Sequence, residues 1–220
     1  MYQAILFDLD DTLYDLRSYW TSRLTRAFDQ AILHHPHLNK AEMMRAALAE
    51  KVYMQQMPDF LRKYEIQDEA LIAAISDAYR HNWFEELALA EDTVDTLRAL
   101  QPRYKLGLVT NGPSRTQRAK IEHFGLAAYM DVLIVSEEVG VAKPDPGIFA
   151  IALERLAMEP SKVLFVGDSV ENDLHGAAAA SLPFVWVNRR HETLPEGVPP
   201  PVAVITRLAE LPPLIEKLDV

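Results

Sequence analysis

An apolar run, Ala4-Ile5-Leu6-Phe7, empties into Asp8-Leu9-Asp10-Asp11-Thr12-Leu13. Carboxylates crowded this closely repel one another, and burying any of them unpaired is costly. A metal ion, a lysine or a shared proton has to offset the repulsion. The uses open to such a cluster are a nucleophilic carboxylate, a proton shuttle and a share in a magnesium site, with Asp8 and Asp10 the first candidates.

Other apolar runs discharge into residues of matching chemistry. After Leu106 to Val109 come Thr110, Asn111 and Gly112. After Val132 to Val135 the chain passes Ser136 and Glu137 to reach Ala142-Lys143-Pro144-Asp145-Pro146. After Val163 to Val166 come Gly167, Asp168 and Ser169, then Asn172 and Asp173. Taken singly, each is an ordinary cap or turn residue. As an ordered set they read as acids, a hydroxyl, an amide and a lysine converging on one edge. In an open parallel sheet, ligands bind at that edge, outside the carboxyl ends of the strands.

Positioning these groups calls for a parallel α/β sheet, and the pattern supplies one. From Leu106 onward, apolar runs alternate with helix-period segments; Phe184 to Val187 and a weaker run at Val202 to Ile205 continue the series. Residues 113–125 read as a helix with Ile121 and Phe124 inward and Gly125 at the stop. Residues 146–156 repeat the pattern with Phe149, Ala152, Leu153 and Leu156. Between the first two strands, from Leu16 to about Leu89, there is only helix periodicity. Leu16, Tyr19, Trp20, Leu24, Ala27, Phe28 and Ala31 form one stripe, Asn39 and Glu42 a capping pair, and Leu71, Ile75, Ala78 and Trp83 a further helix. A crossover needs one helix rather than several, so this stretch is expected to be an inserted helical domain.

Composition bounds the remainder. At 220 residues and 49% hydrophobic, the chain fits one large domain or one carrying an insert. A formal charge of −10 argues against binding nucleic-acid polymers, yet leaves room for a small phosphorylated ligand in a locally positive site. The absence of cysteine removes disulfides, thiolate zinc sites, iron–sulfur clusters and cysteine nucleophiles. No segment reads as a secretory signal or a bilayer span. A soluble, cytoplasmic monomer or homodimer without a membrane partner is expected.

With these residues assembled, the chain resembles the haloacid dehalogenase superfamily over essentially its whole length. Asp8-Leu9-Asp10-Asp11-Thr12 is similar to the family's first motif, Thr110-Asn111 to the second, Lys143-Pro144 to the third, and Gly167-Asp168-Ser169 with Asp173 to the fourth. The resemblance implies a Rossmann-like core of residues 1–14 and 91–220, with a helical cap at 15–90. It implies magnesium-dependent phosphatase chemistry on a small phosphomonoester of nucleotide or sugar phosphate type. Asp8 would be the nucleophile that becomes an aspartyl phosphate, and Asp10 the acid and base. Asp8, Asp168 and the Asp10 carbonyl would hold Mg2+. Thr110, Asn111 and Lys143 would bind the phosphoryl group, Lys143 also neutralising charge, with Asp173 orienting Lys143 or a metal-bound water. Dehalogenases of this family lack an acid two residues after the nucleophile, so Asp10 favours phosphoryl chemistry. The alternatives are a phosphomutase and a receiver-like phosphoacceptor domain; the cap and Asp10 argue against the receiver.

Other features take blander readings. His34-His35-Pro36-His37 is expected to be a solvated loop. Met43, Met44, Met54 and Met57 are expected in helical core packing. Arg115 and Arg118 read as solvated, Asp11 as a polar neighbour keeping its turn hydrated, and 195–201 as a surface connection. Ser181 stands where many relatives have a helix-ending glycine. Among Arg17, Tyr19, Trp20, Tyr53 and Trp83, sequence does not tell which select a substrate.

Overall fold

The computed structural model describes residues 1–218 apart from 82, 83 and 85, so Trp83 lies outside the described residues. Among the described residues, the strands β1 (Ala4–Phe7), β2 (Lys105–Thr110), β3 (Val132–Val135), β4 (Val163–Gly167), β5 (Phe184–Val187) and β6 (Ala203–Ile205) form one parallel sheet. Its order is β3-β2-β1-β4-β5-β6. All four residues of β1 are buried, as a central parallel strand covered on both faces must be. The order puts β1 between β2 and β4, so the polar residues following these strands emerge side by side. Gly107 makes one of these neighbourhoods possible: a Cβ there would stand 2.4 Å from Val132 Cγ1 and 2.5 Å from Leu6 Cδ2.

The chain divides into two compact units, Met1–Asp15 with everything from Ala88 on, and Leu16–Leu87. The second is helical: α1 (Leu16–His34), α2 (Lys40–Ala49), α3 (Met57–Lys63) and α4 (Glu69–Arg80). Its core joins Trp20, Leu24, Ala27 and Phe28 of α1 to Met43, Phe60 and Ile75. Asn39 caps α2 by accepting the Glu42 amide at 3.2 Å, and Asp68 caps α4 by accepting the Ala70 amide at 2.9 Å. One expectation changes here. Met54 is exposed while Met43 and Met57 are buried. Arg23, a residue the apolar stripe hides, is buried among Tyr19 and Tyr79, with its guanidinium carbon 5.2 Å and 4.8 Å from the two ring centroids. The histidines after α1 fall in a turn, His35 and His37 with ring centroids 5.7 Å apart.

The first unit carries α5 (Thr93–Leu100), α6 (Ser114–His123), α7 (Ser136–Val139), α8 (Gly147–Leu156), α9 (His175–Ala179) and α10 (Leu211–Leu218). One face of its sheet packs Phe165 and Phe184 against Phe149 of α8, the Phe149 and Phe165 rings meeting edge-on at 4.8 Å. Truncating such a ring to alanine costs about 3–5 kcal/mol. Gly176 lets α9 approach closely, since a Cβ would lie 2.8 Å from the Phe149 ring. Ser181 has φ +57, so a serine holds the left-handed position that glycine takes without strain. Among the described residues, no helix is long and apolar enough to cross a membrane.

Candidate active site

The acid cluster begins at the C-terminal end of β1. The Asp8 amide donates to the Val166 carbonyl at 2.9 Å, extending the β1–β4 ladder by one residue and fixing the direction of its side chain. From the far side of β2, Lys143 reaches in. Its Nζ donates to Asp8 Oδ1 at 2.5 Å and to the Val109 carbonyl at 2.9 Å, and it pairs with Asp173 Oδ1 at 2.8 Å. The ammonium group thus faces two carboxylates and a backbone carbonyl. Asn111 sets the position of Lys143 through a reciprocal pair of bonds. Its Nδ2 donates to the Lys143 carbonyl and its Oδ1 accepts the Lys143 amide, both at 2.9 Å.

Asp168 and Asp173 come from the end of β4. Asp173 Oδ2 accepts the Ser169 amide at 3.0 Å. The turn is close enough that a Cβ on Gly167 would stand 2.5 Å from that same oxygen, which explains the glycine. Asp168 is oriented by Trp186, whose Nε1 donates to its carbonyl at 2.7 Å. Carboxylate oxygens of Asp8, Asp168 and Asp173 all lie within 4.8 Å of one another.

The electrostatics follow from burial. Desolvation pushes Asp8 up to about 7; Lys143 pulls it down, and Asp173 and Asp10 add to the rise. Asp168 is pushed up to about 9, by burial first and then by Asp8 and Asp173. Burial works against charge on Lys143, but Asp173 and Asp8 more than offset it and hold it protonated. Three acids facing one lysine in a poorly hydrated place cannot all be ionised cheaply, which is why burial raises Asp8 and Asp168. Their oxygens are the donor set a hard divalent cation requires. Because Asp173 is engaged by Lys143 and the Ser169 amide, Asp8 and Asp168 are the carboxylates with capacity to spare.

Asp10 belongs to a neighbouring group of side chains. Its carboxylate accepts from Lys120 Nζ at 2.7 Å and 3.0 Å, from Gln117 Nε2 at 2.9 Å, and from the Tyr14 hydroxyl. Gln117 Nε2 also donates to Thr110 Oγ1 at 2.6 Å, tying the second candidate motif to Asp10. Gly112, at φ +133, leaves room for this: a Cβ would lie 3.3 Å from the Gln117 side chain. The structure thus brings Asp8, Lys143, Asp168 and Asp173 into one cluster, pins Asn111 beside it, and joins Asp10 to Thr110 in a second. Tyr14, Gln117, Lys120 and Trp186 are additions to the residues singled out from sequence. A signal for Gln117 was present: it lies four positions before Ile121, on the inward stripe of α6, where a polar residue is out of place.

One surface reading is corrected. Asp11 does more than hydrate its turn: it occupies a left-handed corner at φ +63, and Arg190 pairs with it at 2.9 Å and with Asp15 at 3.1 Å. Aspartate tolerates that conformation because its short side chain bonds locally. Arg118 pairs with Glu138 at 2.6 Å.

Comparison with known proteins agrees with this geometry. A family model of the haloacid dehalogenase-like hydrolases matches residues 2–181. A glyceraldehyde 3-phosphate phosphatase of Methanopyrus kandleri is 34% identical over 200 residues, 86% of this chain and 85% of the relative. The pyrimidine 5'-nucleotidase YjjG of Escherichia coli is 43% identical over 125 residues, 56% of this chain and 55% of the relative. Among solved structures, the HAD-hydrolase YfnB of Bacillus subtilis bound to magnesium has a TM-score of 0.74 at 26% identity, covering 97% of this chain and 98% of its own. With four motif segments converging at the ends of adjacent parallel strands and a family match over most of its length, the chain belongs to the haloacid dehalogenase-like hydrolases.

Proposed function

We propose that this hydrolase is a magnesium-dependent phosphatase that cleaves a small phosphomonoester, of nucleotide or sugar phosphate type, through an aspartyl phosphate on Asp8. The observation that carries the reading is the buried set of Asp8, Asp168 and Asp173 against Lys143, with Asp10 held two residues from the nucleophile. Asp8 and Asp168, with the Asp10 carbonyl, would hold Mg2+, which when bound offsets the repulsion between carboxylate and phosphate dianion and stabilises charge on the phosphoryl oxygens.

In the first step an Asp8 oxygen bonds to phosphorus while the ester P–O bond breaks, and Asp10 gives its proton to the departing oxygen. In the second, water attacks the same phosphorus and Asp10 takes a proton from it. The Asp8–phosphate bond then breaks, releasing phosphate and restoring both acids. Lys143 stays charged throughout and faces Asp8, while Thr110 and the Asn111 turn receive the phosphoryl oxygens. Asp173 keeps Lys143 in place. The helical unit Leu16–Leu87 is assigned substrate choice, and the cysteine-free chain suits a reducing cytoplasm.

The named phosphatase and nucleotidase among the relatives support the substrate class. The test is a panel of phosphorylated metabolites with released phosphate as readout, run with magnesium and with chelator. Turnover on nucleotide or sugar phosphates that vanishes in chelator supports the reading. Full activity in chelator would overturn it, and transfer to a second sugar hydroxyl instead of water would identify a phosphomutase.

A further inference from the structure

Lys120 is a charged residue spent on a single task. It projects from the last turn of α6, its side chain is 8% exposed, and its one carboxylate partner among the described residues is Asp10, both of whose oxygens it contacts. A lysine does not become this buried without a partner to offset the desolvation of its ammonium group. The surroundings exclude a solvent-facing role: Ile121 beside it is buried, and the Tyr14 ring lies 5.9 Å from its Nζ. Two further donors complete the grip on Asp10. Gln117 approaches from one turn earlier on α6, and the Tyr14 hydroxyl from the loop itself. Burial and the neighbouring Asp10 push the Tyr14 phenol well above its ordinary range, so it remains a donor.

We propose that Lys120, supported by Gln117 and Tyr14, is the positioning residue that aims the Asp10 carboxylate at the leaving-group oxygen. The inference rests on the phosphatase reading for its consequence and on the α6 geometry for its substance. Asp10 follows a strand end, in a turn whose next residue is left-handed, so the backbone alone does not hold its side chain still. Three donors from two elements do. In this role Lys120 acts through Asp10 rather than on the substrate, and that separates it from a binding role. A positioning residue lost from an acid–base group lowers kcat and leaves KM unchanged. Its loss matters only while the acid it positions is present, and it matters most for leaving groups that need a proton.

The experiment uses Lys120→Met, with Lys120→Gln as a second neutral variant in case the first does not fold; melting curves check both. Turnover is measured on glycerol 2-phosphate, whose alkoxide leaves poorly, and on 4-nitrophenyl phosphate, whose phenolate leaves unaided. A misaimed catalytic group typically costs about 10²-fold in rate. The expected result is a fall of that order in kcat on glycerol 2-phosphate, a smaller fall on the activated ester, unchanged KM, and no further loss in an Asp10→Asn background. Losses that multiply with Asp10→Asn, or a raised KM with kcat preserved, would overturn the proposal in favour of a substrate contact. Crystal structures of both variants decide the question independently of activity. The Asp10 carboxylate is expected to leave its place by about 1 Å or more, the scale of misplacement that costs such a rate. If it stays on Gln117 and Tyr14, the positioning role is wrong even in an active enzyme. If instead neither ester is hydrolysed by the unmodified protein, the phosphatase reading falls while the crystal structures still decide what holds Asp10.

Discussion

The Asp8–Lys143 pair is sealed inside the sheet, with side chains 9% and 2% exposed, whereas the Asp10–Lys120 pair sits at the rim, with 25% and 8%. Both are lysine–carboxylate pairs, and their acids are two residues apart on one loop. The inner pair belongs to a group with more acids than lysines, in which burial raises Asp8 and Asp168. The outer pair is balanced by donors and keeps contact with water. A nucleophile gains from the first setting, where little solvent competes for the reacting oxygen. A residue that must give up and recover a proton gains from the second. One apolar strand followed by a short turn thus places two chemically identical acids in different surroundings, each suited to the task proposed for it.

The sharpest way to break this contrast is at the proposed nucleophile. Asp8→Asn should lower phosphatase turnover by roughly 10⁴–10⁶-fold, the scale on which removing a nucleophile disables an enzyme, while circular dichroism stays unchanged. Appreciable residual turnover in a clean preparation would reduce the inner pair to a structural element. Lys143→Met tests the inner charge balance through stability. Removing the one cation facing buried carboxylates should cost about 3–5 kcal/mol in a denaturant melt, and added magnesium should recover part of the loss by binding only the folded state. No recovery would say that the acids are not a cation site.

Asp10→Asn tests the outer pair. Losses of about 10²–10⁴-fold are expected on an alkyl phosphate. On a nitrophenyl ester the first step should survive, so rapid quenching should show a burst and trapped phosphoprotein. Equal losses on both esters would make the two pairs alike in kind. The smallest effect belongs to a surface pair that joins α6 to α7. Hydrogen bonds from Arg118, then Ser114, hold Glu138 down at about 2 against its usual 4.5. A depressed carboxyl contributes stability above its unfolded value, and the contribution is lost as pH falls from about 4.5 toward 2. Glu138→Gln should therefore flatten the acid limb of the melting-temperature profile, at a cost below about 1 kcal/mol near neutrality. A larger cost would mean that α6, and Lys120 with it, depends on this surface contact.

Sequence made the inner pair legible and left much of the outer one hidden, for a physical reason. Buried parallel strands are continuous apolar runs, so Ala4–Phe7 and Val132–Val135 are visible as blocks, and whatever ends a block is conspicuous. Asp8, Asp168 and Lys143 follow such ends. Gln117 and Lys120 instead sit inside a helix, where polar residues are ordinary, and only their place on the inward stripe distinguishes them. The Arg190–Asp11 pair joins residues 179 positions apart and has no local signature at all. Arg23 misleads in the opposite direction, being a charge placed within an apolar stripe because two tyrosine rings receive it. Ser181 shows the same limit at the backbone level: nothing in a serine announces φ +57.

The strand order also dictates when the site can come into being. Ala4 pairs with Lys105 on one side and Val163 on the other, and the whole of Leu16–Leu87 intervenes before the first of these partners exists. Contacts so distant along the chain require costly loop closure, whereas the helices of Leu16–Leu87 pair within one continuous segment. During synthesis the helical unit can therefore complete its core while β1 still waits, its acids exposed to water and unpaired. Only after Asp173 has emerged are all the carboxylates that share Lys143 present. A ribosome-bound chain stopped before β4 should hence show protease-resistant helices and no magnesium response, because the acid cluster needs residues that have not yet been made.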